Sequence, residues 1–152
     1  MIIRLAKESD TESLRKIQKQ LTASGKHKRS DTAALILYYY LQNANKALCY
    51  LAEEKGKLLG FQSLQRAEFD NPWGVKPGWG IVGTHVSPLS ANRDIGRILF
   101  NETCKAASIA SLPMLDATIA ADDPVSLSYY DVMGFKTYRT PGNLISKYYK
   151  VD

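Results

Sequence analysis

Apolar residues open the chain at Ile2, Ile3 and Leu5, then recur at Leu14, Ile17 and Leu21. That change of spacing predicts a short strand over Met1–Leu5 and a helix over roughly residues 10–22. Ser9-Asp10-Thr11-Glu12 has the S-x-x-E spacing of a capping box, in which Glu12 reaches back to the Ser9 backbone. The polar, basic run Thr22–Arg29 reads as a loop. A second helix is expected to start at Ser30 or Asp31, with Ala34, Leu37, Tyr38 and Leu41 on one face. The period then shortens. Ala47–Glu53 and Leu58–Leu64 are apolar-rich strands around Glu54-Lys55-Gly56-Lys57, a hairpin signature with glycine at the turn. Asp70–Pro77 is rich in breakers, and Trp79–Val86 returns to strand. A helix over roughly residues 94–110 places Ile95, Ile98, Leu99, Ala106 and Ile109 on one stripe. Pro113–Ile119 reads as a strand, and Asp123-Pro124 opens a further helix with proline at its first position. Phe135–Tyr138 and Ile145–Val151 close the chain as strands. The order β-α-α-β-β-β-α-β-α-β-β gives an α/β fold of the α+β type. Its sheet is mixed and mostly antiparallel, with helices on both faces and a βαβ unit midway.

Composition narrows the class. With 152 residues, 45% hydrophobic and 23% charged, the chain reads as one domain over residues 1–152 with an ordinary core. It contains no transmembrane run, and charged residues directly after Met1–Ile3 leave no secretory apolar region, so a cytoplasmic setting is expected. Cys49 and Cys104 stand apart, with no CxxC and no histidine at ligand spacing; they fit a reducing compartment, and no metal is expected. A formal charge of +5 suits an anionic ligand and equally suits an ordinary basic protein.

Candidate chemistry gathers in HVSPLSANRDIGRILF, His85 to Phe100. A strand ends at Val86-Ser87-Pro88 and feeds a helix whose first-turn N–H groups lack intrahelical partners. Those donors and the helix dipole suit a phosphate. Gly96 allows close backbone approach, and Arg93 and Arg97 supply charge-assisted contacts. The alternative is a helix capped by Ser90 or Asn92, with Gly96 present for helix–sheet packing.

The element order, joined to these residues, resembles the GCN5-related N-acetyltransferase (GNAT) superfamily over essentially the full chain. In that family a V-x-P strand end precedes Q/R-x-x-G-x-G/A, whose amides cradle the pyrophosphate of coenzyme A. Here Val86-Ser87-Pro88 matches, and the six positions fall on Ala91, Asn92, Arg93, Asp94, Ile95 and Gly96. Gly96 is kept; Ala91 stands at the Q/R position and Asp94 at the first glycine, where it brings negative charge. The family's late N-x-x-A-x-x-x-Y-x-x-x-G-F appears as Asp123, Ser126, Tyr130 and Gly134-Phe135. The resemblance implies acetyl-CoA as co-substrate, held by Val86, residues 91–97, Asp123, Ser126 and Tyr130.

Acetyl transfer to an amine needs a held coenzyme, a neutral amine, a stabilised oxyanion and a protonated leaving thiolate. The resemblance makes the Val86 N–H the oxyanion donor and Tyr130 the general acid. A phenol of pKa about 10 suits a thiolate whose thiol lies near 8.5. The alternative for Tyr130 is packing against Phe135. His85 is a candidate base beside the strand gap. Strand alternation turns it to the face opposite Val86, and Glu68 and Asp70 are alternatives acting through water. The acceptor wall is expected from Lys26, His27, Lys28, Arg29, Tyr38–Tyr40, Phe69 and Trp73, which equally fit a solvated loop and packed rings.

The leading expectation is an N-acetyltransferase acting on a small-molecule or peptide amine. A non-catalytic acyl-CoA-binding or regulatory module is the alternative that Ala91 and Asp94 permit. No nucleic-acid or membrane partner is expected: Lys26–Arg29 is a single cluster without aromatic interleaving. A Rossmann enzyme is disfavoured for want of G-x-G-x-x-G. The acceptor's identity and the choice between monomer and homodimer stay open.

Overall fold

The computed structural model describes residues 1–23, 47–90 and 94–152. The expected helix from Ser30 or Asp31, the basic residues Lys26–Arg29, the tyrosines Tyr38–Tyr40 and the turn residues Ala91, Asn92 and Arg93 lie outside the described residues. The chain divides into two compact units, Met1–Leu64 with Gly83–Thr103, and Gln65–Val82 with Cys104–Asp152.

The first unit opens with β1 (Ile2–Leu5), a 3-10 turn (Glu8–Asp10) and α1 (Thr11–Ala23). The expected Ser9–Glu12 capping box is not what starts α1. Asp10 accepts the Lys7 N–H at 2.8 Å, and Thr11 Oγ1 donates to the Glu8 carbonyl. Glu12 instead meets Arg15 at 3.4 Å on the exposed side. The reason is charge. Arg4 forks onto Asp10 at 2.8 Å and Glu53 at 3.0 Å, and this fixes Asp10 in the capping role, two residues before the Glu12 that the motif predicts.

β2 (Ala47–Glu54) and β3 (Lys57–Arg66) follow as a hairpin, with Lys55 and Gly56 at φ 53° and 75°. Those paired positive values are the twist that a two-residue hairpin requires. Neighbouring β2 residues then serve opposite faces. Leu51 packs with Leu14, Ile17, Leu21, Cys49 and Phe61, on the α1 side. Ala52 packs with Leu59 and with Ile95 and Leu99 of α2 (Ile95–Ile109). Helices therefore cover both faces here, as expected. Along α2 the buried side chains are Ile95, Leu99, Phe100, Thr103, Ala106 and Ala107, whereas Ile109 is 86% exposed. The expected stripe was centred too far round: at about 100° per residue, Ile109 falls roughly a quarter-turn from the centre of the buried set.

The second unit holds β5 (Met114–Ala120), α3 (Pro124–Met133), β6 (Lys136–Arg139) and β7 (Leu144–Lys150). Asp123 caps α3 by accepting the Ser126 N–H at 3.1 Å. Gly134, at φ 104°, ends the helix by donating to the carbonyls of Tyr130 and Asp131. Lys147 is buried on β7, where its Nζ donates to Asp131 at 2.7 Å and to Thr137 Oγ1 at 3.0 Å. The strand order of the seven-stranded sheet is β1-β2-β3-β4-β5-β7-β6, with β4 spanning Gly80–Val86. β4 and β5 run parallel, whereas β1–β2, β5–β7 and β6–β7 are antiparallel.

Candidate active site

In the first unit the site is built around the end of β4. The Ser87 N–H donates to the Leu59 carbonyl on β3 at 2.8 Å. Successive N–H groups of an extended chain point to opposite edges, so the Val86 N–H is turned to the edge of β4 away from β3. Pro88 holds Ser87 extended and breaks the strand there. Ser87 is buried and donates from Oγ to Gln20 Oε1 on α1 at 3.3 Å, while its carbonyl takes the Ser90 N–H at 2.9 Å. Close approach of β3 makes this geometry possible. A Cβ on Gly60 would lie 3.0 Å from the His85 carbonyl oxygen and 3.2 Å from both Val86 Cα and Ile95 Cγ2.

Val86 packs half-buried against the α2-side cluster. His85 lies on the opposite face, 2% exposed, with its ring stacked on Phe61 at 4.5 Å and 23°. Strand alternation thus separates the two predicted catalytic residues of β4, as the sequence implied. A Cβ on Gly83 would come within 3.4 Å of His85 Nε2, so the glycine leaves room beside the ring.

At the start of α2 the Ile98 N–H donates to the Asp94 carbonyl at 3.1 Å. The N-terminus of this 15-residue helix carries the positive end of its dipole. Ile95 is anchored in the core, and Gly96, half-buried, keeps the helix surface low. Arg97 Nε meets Asp94 Oδ1 at 3.3 Å, with both side chains largely exposed. The positive end of the helix dipole, a side-chain-free Gly96 and the Arg97 guanidinium suit an anion such as a diphosphate. The Asp94 carboxylate is turned onto Arg97.

In the second unit, Tyr130 is 4% exposed and packs edge-on against Phe135 at 5.0 Å and Tyr129 at 4.9 Å. Asp123 and Ser126 form the cap of the same helix. The parallel ladder joins Gly80 to Leu115 and Ile81 to Asp116. Asp116 itself, wholly buried, was missed by the sequence reading, as were Tyr138 and Arg139 beside it. Its signal was an acid inside the apolar run MLDATIA. Among the described residues, no three His, Cys, Asp or Glu side chains gather as a metal site, and no helix is long and apolar enough to cross a membrane.

No curated protein matches the chain by sequence. Solved structures are similar in fold. The chain shares 13% identity with a GCN5-related N-acetyltransferase from Kribbella flavida, at a TM-score of 0.81, over 98% of this chain and 96% of that one. PaiA N-acetyltransferase from Thermoplasma acidophilum, in complex with coenzyme A, shares 17% identity at a TM-score of 0.77, over 99% of each chain. For yncA from Salmonella typhimurium, described as an acetyltransferase with its cofactor acetyl-CoA, the values are 16% and 0.76, over 99% of this chain and 94% of that one. The family described as the acetyltransferase (GNAT) domain matches residues 3–149. With nearly every element of the chain inside that match, the protein belongs to the GNAT acetyltransferase family.

Proposed function

We propose that the protein is an acetyl-CoA-dependent N-acetyltransferase that moves the acetyl group directly from the thioester to an amine of a small molecule or peptide. The observation that carries this reading is the end of β4. There the Val86 N–H is turned to the strand edge away from β3, because Ser87 takes the β3 partner. Acetyl-CoA supplies the activated acyl group. A fixed backbone N–H stabilises charge on the carbonyl oxygen as the amine attacks, without reorganising at that moment. The positive end of the α2 dipole and Arg97 hold the phosphates, with Gly96 allowing their approach. The Tyr130 hydroxyl gives its proton to the departing thiolate. His85, stacked on Phe61 on the other face of β4, is the proposed base only through a water path, since alternation points it away from Val86. Phe69 and Trp73 line the acceptor side.

Free thiols at Cys49 and Cys104 support a cytoplasmic setting. The second reading, a non-catalytic acyl-CoA-binding module of the same fold, is favoured by one observation, the Asp94 carboxylate at the helix start. A screen of amines with acetyl-CoA, read as free thiol, separates the two. Turnover with any amine establishes the transferase, whereas coenzyme binding without thiol release from a broad amine set establishes the module.

A further inference from the structure

On β6 the pairing with β7 shifts register between Thr137 and Arg139. Thr137 stands opposite Lys147 and Arg139 opposite Ser146, so Tyr138 is the extra residue of a bulge. Regular alternation would send Tyr138 and Arg139 to opposite faces. The bulge brings both to the face of Ser146 and Asp116. There the Tyr138 hydroxyl donates to Asp116 Oδ2, and Thr118 Oγ1 donates to Oδ1 at 2.8 Å. Arg139 Nη2 lies 3.9 Å from the same carboxylate, and its Nε donates to the Tyr138 oxygen at 3.3 Å.

Arg139 also reaches outward. Its Nη2 donates to the Trp73 carbonyl at 2.6 Å. Gly74 leaves the passage open, since a Cβ there would lie 3.1 Å from Arg139 Nη1. The segment that receives this bond is internally braced. Asn71 Oδ1 takes the N–H groups of Trp73 and Val75, while its Nδ2 donates to the carbonyls of Glu68 and Val75. The same segment carries Phe69, 81% exposed, an aromatic ring held out on an ordered loop.

Resting on the acetyltransferase reading above, we propose that Asp116 is a positioning residue for acceptor binding: through Tyr138 and Arg139 it fixes Trp73, and with it the loop that presents Phe69 to the acceptor amine. The chain of hydrogen bonds runs within the second unit from a carboxylate with no solvent access to the Glu68 carbonyl, next in sequence to the exposed ring. Burial pushes the Asp116 carboxyl up, while the Tyr138 and Thr118 hydroxyls and Arg139 pull it back. Burial and Asp116 together push the Tyr138 phenol up to about 12, so it remains a donor to the carboxylate. A surface salt bridge would contribute little to positioning. A buried carboxylate with two hydroxyl donors and a guanidinium fixes geometry strongly, because each lost partner leaves a buried polar group unmet.

The test compares Tyr138→Phe, which deletes one hydroxyl and keeps the ring, with Asp116→Asn and with Asp131→Asn. The last breaks the Lys147 pair on the opposite face of β7 and serves as control. Hydrogen–deuterium exchange of residues 67–79 should rise in the first two variants and stay unchanged in the control. The acceptor KM, measured with the best amine from the thiol-release screen, should rise about tenfold, as expected for one charge-assisted hydrogen bond. The acetyl-CoA dissociation constant and kcat should stay near wild type. Unchanged exchange in Tyr138→Phe, or equal change in the control, overturns the clamp. Faster exchange with an unchanged acceptor KM overturns the role in acceptor binding and leaves the transferase standing. A wild-type protein inactive on every amine sinks the transferase reading and the acceptor role with it, while exchange still decides the clamp.

Discussion

Arg97 Nε meets the Asp94 carboxylate at 3.3 Å, so the first turn of α2 carries an internal ion pair where a phosphate-binding turn would present an unopposed cation. Both side chains are more than half exposed, and such a pair is weak. An incoming diphosphate therefore exchanges one exposed carboxylate for a better partner at small cost.

Asp94→Gly removes the competing charge and frees Arg97. Acetyl-CoA binding should tighten, with some loss of apo stability, about 0.5–1 kcal/mol, from glycine's backbone entropy. Isothermal titration and thermal unfolding report the two effects separately. Weaker binding would show that Asp94 itself contacts the coenzyme.

Gly96→Val raises a branched side chain on the first turn of α2. Wild-type protein at a hundredfold excess of acetyl-CoA over its dissociation constant should gain about 2.7 kcal/mol of stability. The variant should lose most of that gain while the apo fold persists. An undiminished ligand-induced shift in melting temperature would move the pyrophosphate elsewhere.

Tyr130→Phe keeps the edge contacts to Phe135 and Tyr129 and deletes the hydroxyl. With Tyr130 as acid, kcat should fall by about 10²–10⁴ while coenzyme binding is retained. A loss of stability with normal activity per folded molecule would assign Tyr130 to packing.

Gly60→Ala places a methyl against the His85 carbonyl oxygen and Val86 Cα, where backbone must move. The expected cost is about 1–3 kcal/mol by denaturant unfolding. A fall in kcat beyond the loss of folded protein should accompany it, because the displaced N–H is that of Val86. Full activity at reduced stability would show that Val86 is not the oxyanion donor.

Two aspartates should oppose each other in acid. Hydrogen bonding to Arg4 holds the Asp10 carboxyl below the usual carboxylate range, so its contribution is present above about pH 4 and is lost as pH falls through the lowered value. Burial raises Asp116, so its contribution is greatest below the ordinary value and is lost as pH rises through the raised one. The melting-temperature gap between wild type and Asp10→Asn should narrow on acidification, and wild type should gain on Asp116→Asn. Parallel pH trends for the two would contradict both assignments.

Strand and helix positions were legible because burial here follows period. Leu14, Ile17 and Leu21 at helical spacing all reached the core, and Pro124 marked the start of α3. The cap of α1 was not legible, because Arg4 and Glu53 choose Asp10 from 49 residues apart in sequence. The same limit applied to the candidate site. The family resemblance, carried by motifs of local spacing, singled out Val86, Gly96 and Tyr130 as candidates, and alternation foretold the separation of His85 from Val86. Asp116 could not be read together with Tyr138 and Arg139, because a bulge breaks the alternation that would otherwise place Arg139 on the other face.

The bulge at Tyr138 also makes the length of β6 matter more than its chemistry. Deleting one residue from this four-residue strand would restore regular alternation. Arg139 would then still stand opposite Ser146, but Asp116 would lose the Tyr138 hydroxyl that the bulge carries to it. Point changes at the exposed Lys136 leave the frame intact. Among relatives of this chain, β6 should therefore tolerate substitution at its exposed Lys136 far more readily than loss of Tyr138, the extra residue that brings a phenol to the buried carboxylate.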